Sequence, residues 1–174
     1  IGSWGVGTNL ITSKDCPSFG GVYKLSAIQN NDGEFIPKIK ISENVEKITN
    51  PGDKTIYRVY DKETGKIRAD LICFADETWN EEDELLLFDP NATWKKTRLP
   101  GGSYTMKEIL LPIFKHGECI YESPSVMEIA QFCKEEKETL WDETKRLFNP
   151  HGVYVDLSRS LYDTKNRLLD DMSK

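Results

Sequence analysis

Gly5-Val6-Gly7-Thr8 sets two glycines and a hydroxyl at the end of a short apolar run, one of the few ways a backbone can close around a phosphate. Glycine lets the chain approach the oxygens, and the N–H groups and the Thr8 hydroxyl can donate to them. Taken alone the spacing is a weak signal, because a tight strand-to-helix turn uses the same glycines for geometry. A second cationic group follows at Lys38 and Lys40. On a strand, residues two apart face the same way, so both lysines share one face and Ile39 and Ile41 take the other. Two ammonium groups on one face suit an anion; they also suit an ordinary half-exposed strand. Lys14 is the next cation after the glycine turn, and its plain alternative is a solvated surface lysine. Arg58 and Arg68 read as outward charges on a hairpin. Tyr57, Tyr60, Trp94, Trp141 and Tyr154 read as packing aromatics.

Other chemistries find little support. Cys16, Cys73, Cys119 and Cys133 are scattered with no Cys-x-x-Cys pair, and His116 and His151 complete no ligand cluster. That favours unpaired thiols in a reducing compartment over a disulfide framework or a zinc site. There is no Walker-type ATP loop. Asn91-Ala92-Thr93 satisfies the glycosylation sequon, which is common by chance and is discounted in a chain that reads as cytoplasmic. A net charge of −6 argues against a nucleic-acid binder and leaves room for a local cationic pocket. No apolar run approaches the roughly 18 residues of a membrane span, and no signal-peptide pattern is present. With 174 residues, 30% charged and 38% apolar, the chain is long enough for one domain with a real core.

The elements that must position these residues change character along the chain. Residues 1–15 read as a strand, a glycine turn and a short helix over 9–13. Residues 22–28 and 35–41 read as strands around an Asn30–Gly33 turn. Residues 55–60 and 67–74 alternate at period two on either side of a polar loop with a late glycine, which predicts a hairpin. A further strand is expected over 85–88. The capping pattern Thr105-x-x-Glu108 predicts a short helix, and His116-Gly117 the turn of a small hairpin. Ser123, or alternatively Ser125 with Glu128, is expected to cap a long helix running to Asn149-Pro150 with one apolar stripe against a core. A last helix is expected over 157–172.

Several of these strings resemble one family. Trp4 through Ser13, Gly20-Gly21-Val22-Tyr23-Lys24-Leu25, Pro37 through Ser42 and Pro51-Gly52-Asp53-Lys54 resemble nicotinate phosphoribosyltransferase. So do Tyr121-Glu122-Ser123-Pro124-Ser125, Lys145-Arg146, Asn149-Pro150-His151 and Val155-Asp156-Leu157-Ser158. The resemblance implies an α/β fold, the C-terminal part of a type II phosphoribosyltransferase. Residues 1–18 would close an irregular α/β barrel, and 19–174 would belong to a second α/β domain, β-rich to about 90 and helical from about 104. It implies transfer of phosphoribosyl from phosphoribosyl pyrophosphate (PRPP) to nicotinate, coupled to ATP hydrolysis and assisted by magnesium, in a homodimer. Gly5, Gly7 and Thr8 would hold the ribose 5′-phosphate. By likeness to the related nicotinamide enzyme, Lys14 and Ser18 would reach the active site of the partner subunit. The phosphorylatable histidine and the groups around the pyridine ring would lie in upstream barrel segments, so this stretch alone should be inactive. The alternatives are nicotinamide phosphoribosyltransferase and a non-catalytic phosphate-binding or assembly module.

Overall fold

The computed structural model describes residues 3, 5–14, 16–18, 23–43 and 48–172. Its centre is a four-stranded sheet in the order β10 (Val155–Leu157), β4 (Ile67–Phe74), β3 (Lys54–Asp61) and β7 (Tyr104–Glu108). Strands β3 (Lys54–Asp61) and β4 (Ile67–Phe74) form the expected hairpin, antiparallel with Arg58 opposite Asp70 and a register shift at Val59/Tyr60. On β4 the alternation predicted from sequence is realised: Ile67, Ala69, Leu71 and Cys73 are buried. Asp61 closes the turn by accepting from the Thr64 N–H (2.9 Å) and the Thr64 hydroxyl (2.8 Å).

Strand β7 (Tyr104–Glu108) pairs antiparallel with β3. This corrects the short helix expected at Thr105. A capping pattern is local, and here it loses to a sheet edge that offers β7 a full ladder and a buried slot for Tyr104. The Tyr104 hydroxyl donates to the carbonyls of Asn80 (3.2 Å) and Asp83 (3.1 Å), so the one polar atom of that ring is satisfied. Over the same face lies the hairpin of β5 (Leu85–Phe88) and β6 (Lys96–Leu99). Leu85, Leu87 and Leu99 join Val59, Ala69, Leu71 and Tyr104 in the core, with Trp79 and Met106 against it.

The C-terminal elements arrive later than the sequence suggests. Instead of helix from about residue 104, there is β7 and then a hairpin of β8 (Phe114–Lys115) and β9 (Glu118–Cys119), with His116 and Gly117 at positive φ in the turn. Helix α1 (Val126–Glu138) starts at the second of the two expected caps. Ser125 accepts from the Glu128 N–H, and the Glu128 carboxylate accepts from the Ser125 N–H.

The same helix stops at Thr139, ten residues before Asn149. Its end is taken up by β4: Ile67 N–H donates to the Thr139 carbonyl (2.9 Å) and Trp141 Nε1–H to the Ile67 carbonyl (2.6 Å). Lys66 Nζ meanwhile donates to the carbonyls of Glu138 and Leu140, satisfying acceptors that a helix end leaves open. Strand β10 (Val155–Leu157) adds parallel to β4, and helix α2 (Arg159–Met172) follows. The last helix therefore begins two residues after the expected start. Ser158 caps it, accepting from the Leu161 N–H (3.2 Å) while donating to Glu77 (2.6 Å). Leu161 is fully buried, and Tyr162 meets Phe88 edge to face at 5.2 Å.

The amino-terminal part is sparser. Strands β1 (Ala27–Gln29) and β2 (Phe35–Pro37), shorter than expected, form their own hairpin around the Asn30–Gly33 turn. Pro37 closes β2, since proline has no N–H to continue a ladder.

Candidate functional site

The glycine turn is an exposed corner. Thr8–Ile11 form one helical turn with Gly7 as its N-cap in extended conformation (φ −86°, ψ 166°). The Gly7 carbonyl accepts from the N–H groups of Leu10 (3.1 Å) and Ile11 (3.4 Å), and the Thr8 carbonyl accepts from Thr12 (2.8 Å). No side chain caps the turn, and among the described residues the Thr8 hydroxyl makes no hydrogen bond. A Cβ at Gly5 or Gly7 would meet nothing within 4 Å. In this chain, then, the glycines are required neither by crowding nor by a left-handed backbone. The strand expected before them is not formed by Ser3 or Gly5–Gly7; a strand needs a ladder partner, and none of the strands among the described residues pairs there. Trp4 lies outside the described residues.

Lys14 and Ser18 are exposed, and the Ser18 carbonyl accepts from the Cys16 thiol (3.5 Å). Lys38 and Lys40 follow β2 rather than lying in it. Both are exposed, with Ile39 half-buried between them. Among the described residues no hydrogen bond or ion pair links the Gly5–Thr8 turn to Lys38 or Lys40. All seven residues are exposed. No group of three His, Cys, Asp or Glu side chains among the described residues could hold a metal ion.

Electrostatic organisation is concentrated on the sheet. Arg58, read from sequence as an outward charge, is half-buried and forked onto Asp70 (Nε–Oδ1 2.7 Å, Nη2–Oδ2 3.0 Å). Its third nitrogen reaches Glu136 of α1 at 3.0 Å. The hydrogen bond to Asp70 raises its already high pKa. Arg68 pairs with Asp61 and lies 5.5 Å over the Trp141 ring. The Asp61 carboxyl is pulled down to about 2, first by the Thr64 N–H, then by the Thr64 hydroxyl and Arg68. Two of the expected packing aromatics do not pack: Trp94 and Tyr154 are exposed.

One cavity has a polar floor that sequence reasoning missed. It measures about 350 Å³ and lies between β4, β10 and the β5–β6 hairpin. Asp156, only 5% exposed, lines it together with Asp89. Burial pushes the Asp156 carboxyl up to about 6, and the nearby Asp89 charge adds to the shift. Asp156 sits in register with Leu71 on the parallel ladder, which turns its carboxylate toward the apolar face. The signal was present as a single acidic residue between Val155 and Leu157, in a string quoted only for its family likeness.

Comparison with known proteins was made on this framework. The family model described as the nicotinate phosphoribosyltransferase C-terminal domain matches residues 53–165. Nicotinate phosphoribosyltransferase of Bacillus subtilis is 36% identical over 172 residues, covering 99% of this chain and 34% of that protein. The protein of the same name in Caenorhabditis elegans is 34% identical over 163 residues, 93% of this chain and 28% of that one. The crystal structure of human nicotinic acid phosphoribosyltransferase superposes with a TM-score of 0.60 at 22% identity, over 70% of this chain and 24% of that chain. That likeness concerns the fold. The chain spans about a third of the length of the curated relatives it matches.

Proposed function

Because the chain belongs to the nicotinate phosphoribosyltransferase family and carries that family's C-terminal domain, we propose that it is part of an enzyme that transfers phosphoribosyl from PRPP to nicotinate. The products are nicotinate mononucleotide and pyrophosphate, with ATP hydrolysis coupled to the transfer and magnesium assisting, in a cytoplasmic homodimer that makes NAD precursors. The observation that supports this most is the alignment with the Bacillus subtilis protein along 99% of the chain. It includes the glycine turn, which the family model's match over 53–165 does not reach.

The physics of such a transfer is mostly charge handling. Pyrophosphate must be neutralised as it leaves, the 5′-phosphate anchored, and the ribose held in line. In our reading residues 1–18 close the barrel, and Gly5, Gly7 and the Thr8 hydroxyl hold the 5′-phosphate. The exposed N–H groups of the turn and its open surroundings leave room for a ligand to supply what the chain does not. Lys14 and Ser18 would reach toward the partner subunit's phosphates. Lys38 and Lys40 are a second anion-facing pair on the second domain. The reacting ring and the phosphorylated group are handled upstream, so residues 1–174 alone are expected to be inactive.

The test is PRPP-dependent mononucleotide formation by the native-length protein, with nicotinate and nicotinamide offered separately, with and without ATP. Turnover of nicotinate that ATP accelerates is expected. Turnover of nicotinamide alone would move the protein to the sister activity, and turnover of neither would leave a binding module. In the same assay Gly7→Trp should raise the KM for PRPP by about tenfold or more, as the loss of one anchoring contact to a charged group implies. An unchanged KM would take the phosphate role away from the turn.

A further inference from the structure

Asp156 is a buried acidic residue to which the described residues offer no ion pair, and its carboxylate opens onto a cavity. It is about 95% buried on the side of the sheet that carries Ala69 and Leu71, and it lines a cavity of about 350 Å³. No hydrogen-bond donor among the described residues reaches it. The charged and titratable groups that line the same cavity are Arg68 on β4, Asp89 after β5, Lys95 and Lys96 at β6, and Tyr154 before β10. None neutralises it. Arg68 is committed to Asp61 and to the Trp141 ring. Lys95 and Lys96 are exposed and form no ion pair with it, and Tyr154 is exposed. Asp89 has its own role, accepting from the Asn91 N–H at 2.8 Å, and its charge repels.

A buried carboxylate without partners is strongly disfavoured, and a second acid beside it makes matters worse. An asparagine of the same shape would remove the cost, so the arrangement makes sense where something positive completes it. We infer that the cavity between β4, β10 and the β5–β6 hairpin is a binding site for a cationic N–H donor, a guanidinium or alkylammonium group, which the carboxylates of Asp156 and Asp89 receive. The cavity is large enough for such a group with its methylene stem. The exposed Tyr154, Lys95 and Lys96 line it as well. The same chemistry has two sources, a basic side chain of the native-length polypeptide or a free small polyamine-like cation.

The experiment compares the melting temperature of the native-length protein with its Asp156→Asn variant at pH 7.5 and pH 4.5, with and without millimolar agmatine, at matched ionic strength. Titration of all other groups cancels in the difference between the two proteins. If a basic side chain already occupies the site, the variant melts lower by about 3 °C or more at both pH values, by the same amount. If the cation is free, the parent gains on the variant as pH falls to 4.5, because the empty carboxyl takes up its own proton. Agmatine then raises the parent at pH 7.5, leaves the variant unchanged and abolishes that gain. Two results overturn the inference. One is a gain on acidification that agmatine does not alter. The other is a variant as stable as the parent at both pH values. Asp156→Ser is measured beside Asp156→Asn so that misfolding of one variant does not decide the outcome. None of these readings depends on catalysis, so failure of the proposed activity and failure of this site are separable.

Discussion

Arg58 shows what a single residue contributes to this fold and how little of it a sequence reveals. Alternation along residues 55–60 places it on the face away from the core, and an arginine there reads as solvated. The structure instead gives it a fork onto Asp70, directly opposite on β4, and a third contact to Glu136, 78 residues away. Removing the guanidinium leaves Asp70, whose side chain is 16% exposed, without its partner. Arg58→Met is therefore expected to cost about 2–3 kcal/mol in urea unfolding of the native-length protein. Glu136→Gln should cost well under half of that, because the fork onto Asp70 survives; equal losses would contradict this ranking. Asp61 gives the corresponding statement about pH. Its folded carboxyl is held at about 2, below the ordinary value of 3.8. Between those two values the unfolded chain binds the extra proton. Its contribution is thus complete above about pH 4 and is lost as pH falls through 2. Asp61→Asn should flatten the acid limb of the stability curve over pH 2–4 and weaken the protein at pH 7. An unchanged acid limb would mean that Thr64 and Arg68 do not hold this carboxyl in solution.

At the scale of elements, what was legible is what is local. The β3–β4 hairpin needs only period-two alternation and a polar loop, and both of its strands were read almost to the residue. The Ser125 box is also local, and it formed. What was not legible depends on distant partners. β7 carries a helix-capping pattern but becomes a strand because β3 offers it a ladder. α1 ends at Thr139, where Ile67 and Lys66 take up the last carbonyls and Trp141, just beyond the helix, donates to Ile67. One close approach that no pattern announces is at Gly101, where a Cβ would fall far inside contact with the Glu82 carbonyl. Two stretches of main chain touch there, and the Gly102 N–H donates to the Glu81 carbonyl at 2.7 Å. Gly65, by contrast, has a left-handed φ of 67° and open space around it. Gly65→Ala should therefore cost about 1 kcal/mol, the price of the backbone conformation. Gly101→Ala should cost clearly more, about 2–4 kcal/mol, because backbone must move against backbone. Thermal melts that rank the two variants the other way would show that the loop before β7 yields easily.

Across the whole molecule the burial is lopsided, and that is the physical reason the site was harder to read than the fold. The core gathers on one face of the sheet, under the β5–β6 hairpin. The apolar stripe of α1 expected against a core, Val126, Ile129, Ala130 and Cys133, is instead exposed, Met127 and Phe132 are exposed as well, and the helix has no buried residue. Leu111, Phe114, Leu147, Phe148 and Tyr154 are exposed as well. The Gly5–Thr8 turn belongs with them, since its chemistry is recognisable by residue type while its surroundings in this chain are solvent. Periodicity reports that a face is apolar; it does not report what lies against it. Single exposed apolar residues are ordinary, but runs of them on one helix and the adjoining hairpin exceed what a free surface carries. A polypeptide of residues 1–174 alone is accordingly expected to bind an apolar fluorescent dye and to sediment as concentration-dependent assemblies. Val126→Ser with Phe132→Ser should remove much of that dye binding while leaving the circular dichroism unchanged, since neither side chain contributes to the core. Dye binding that persists undiminished would locate the open apolar surface elsewhere. Loss of the spectrum would instead mean that α1 is held to the sheet by more than Arg58–Glu136 and its C-terminal carbonyls.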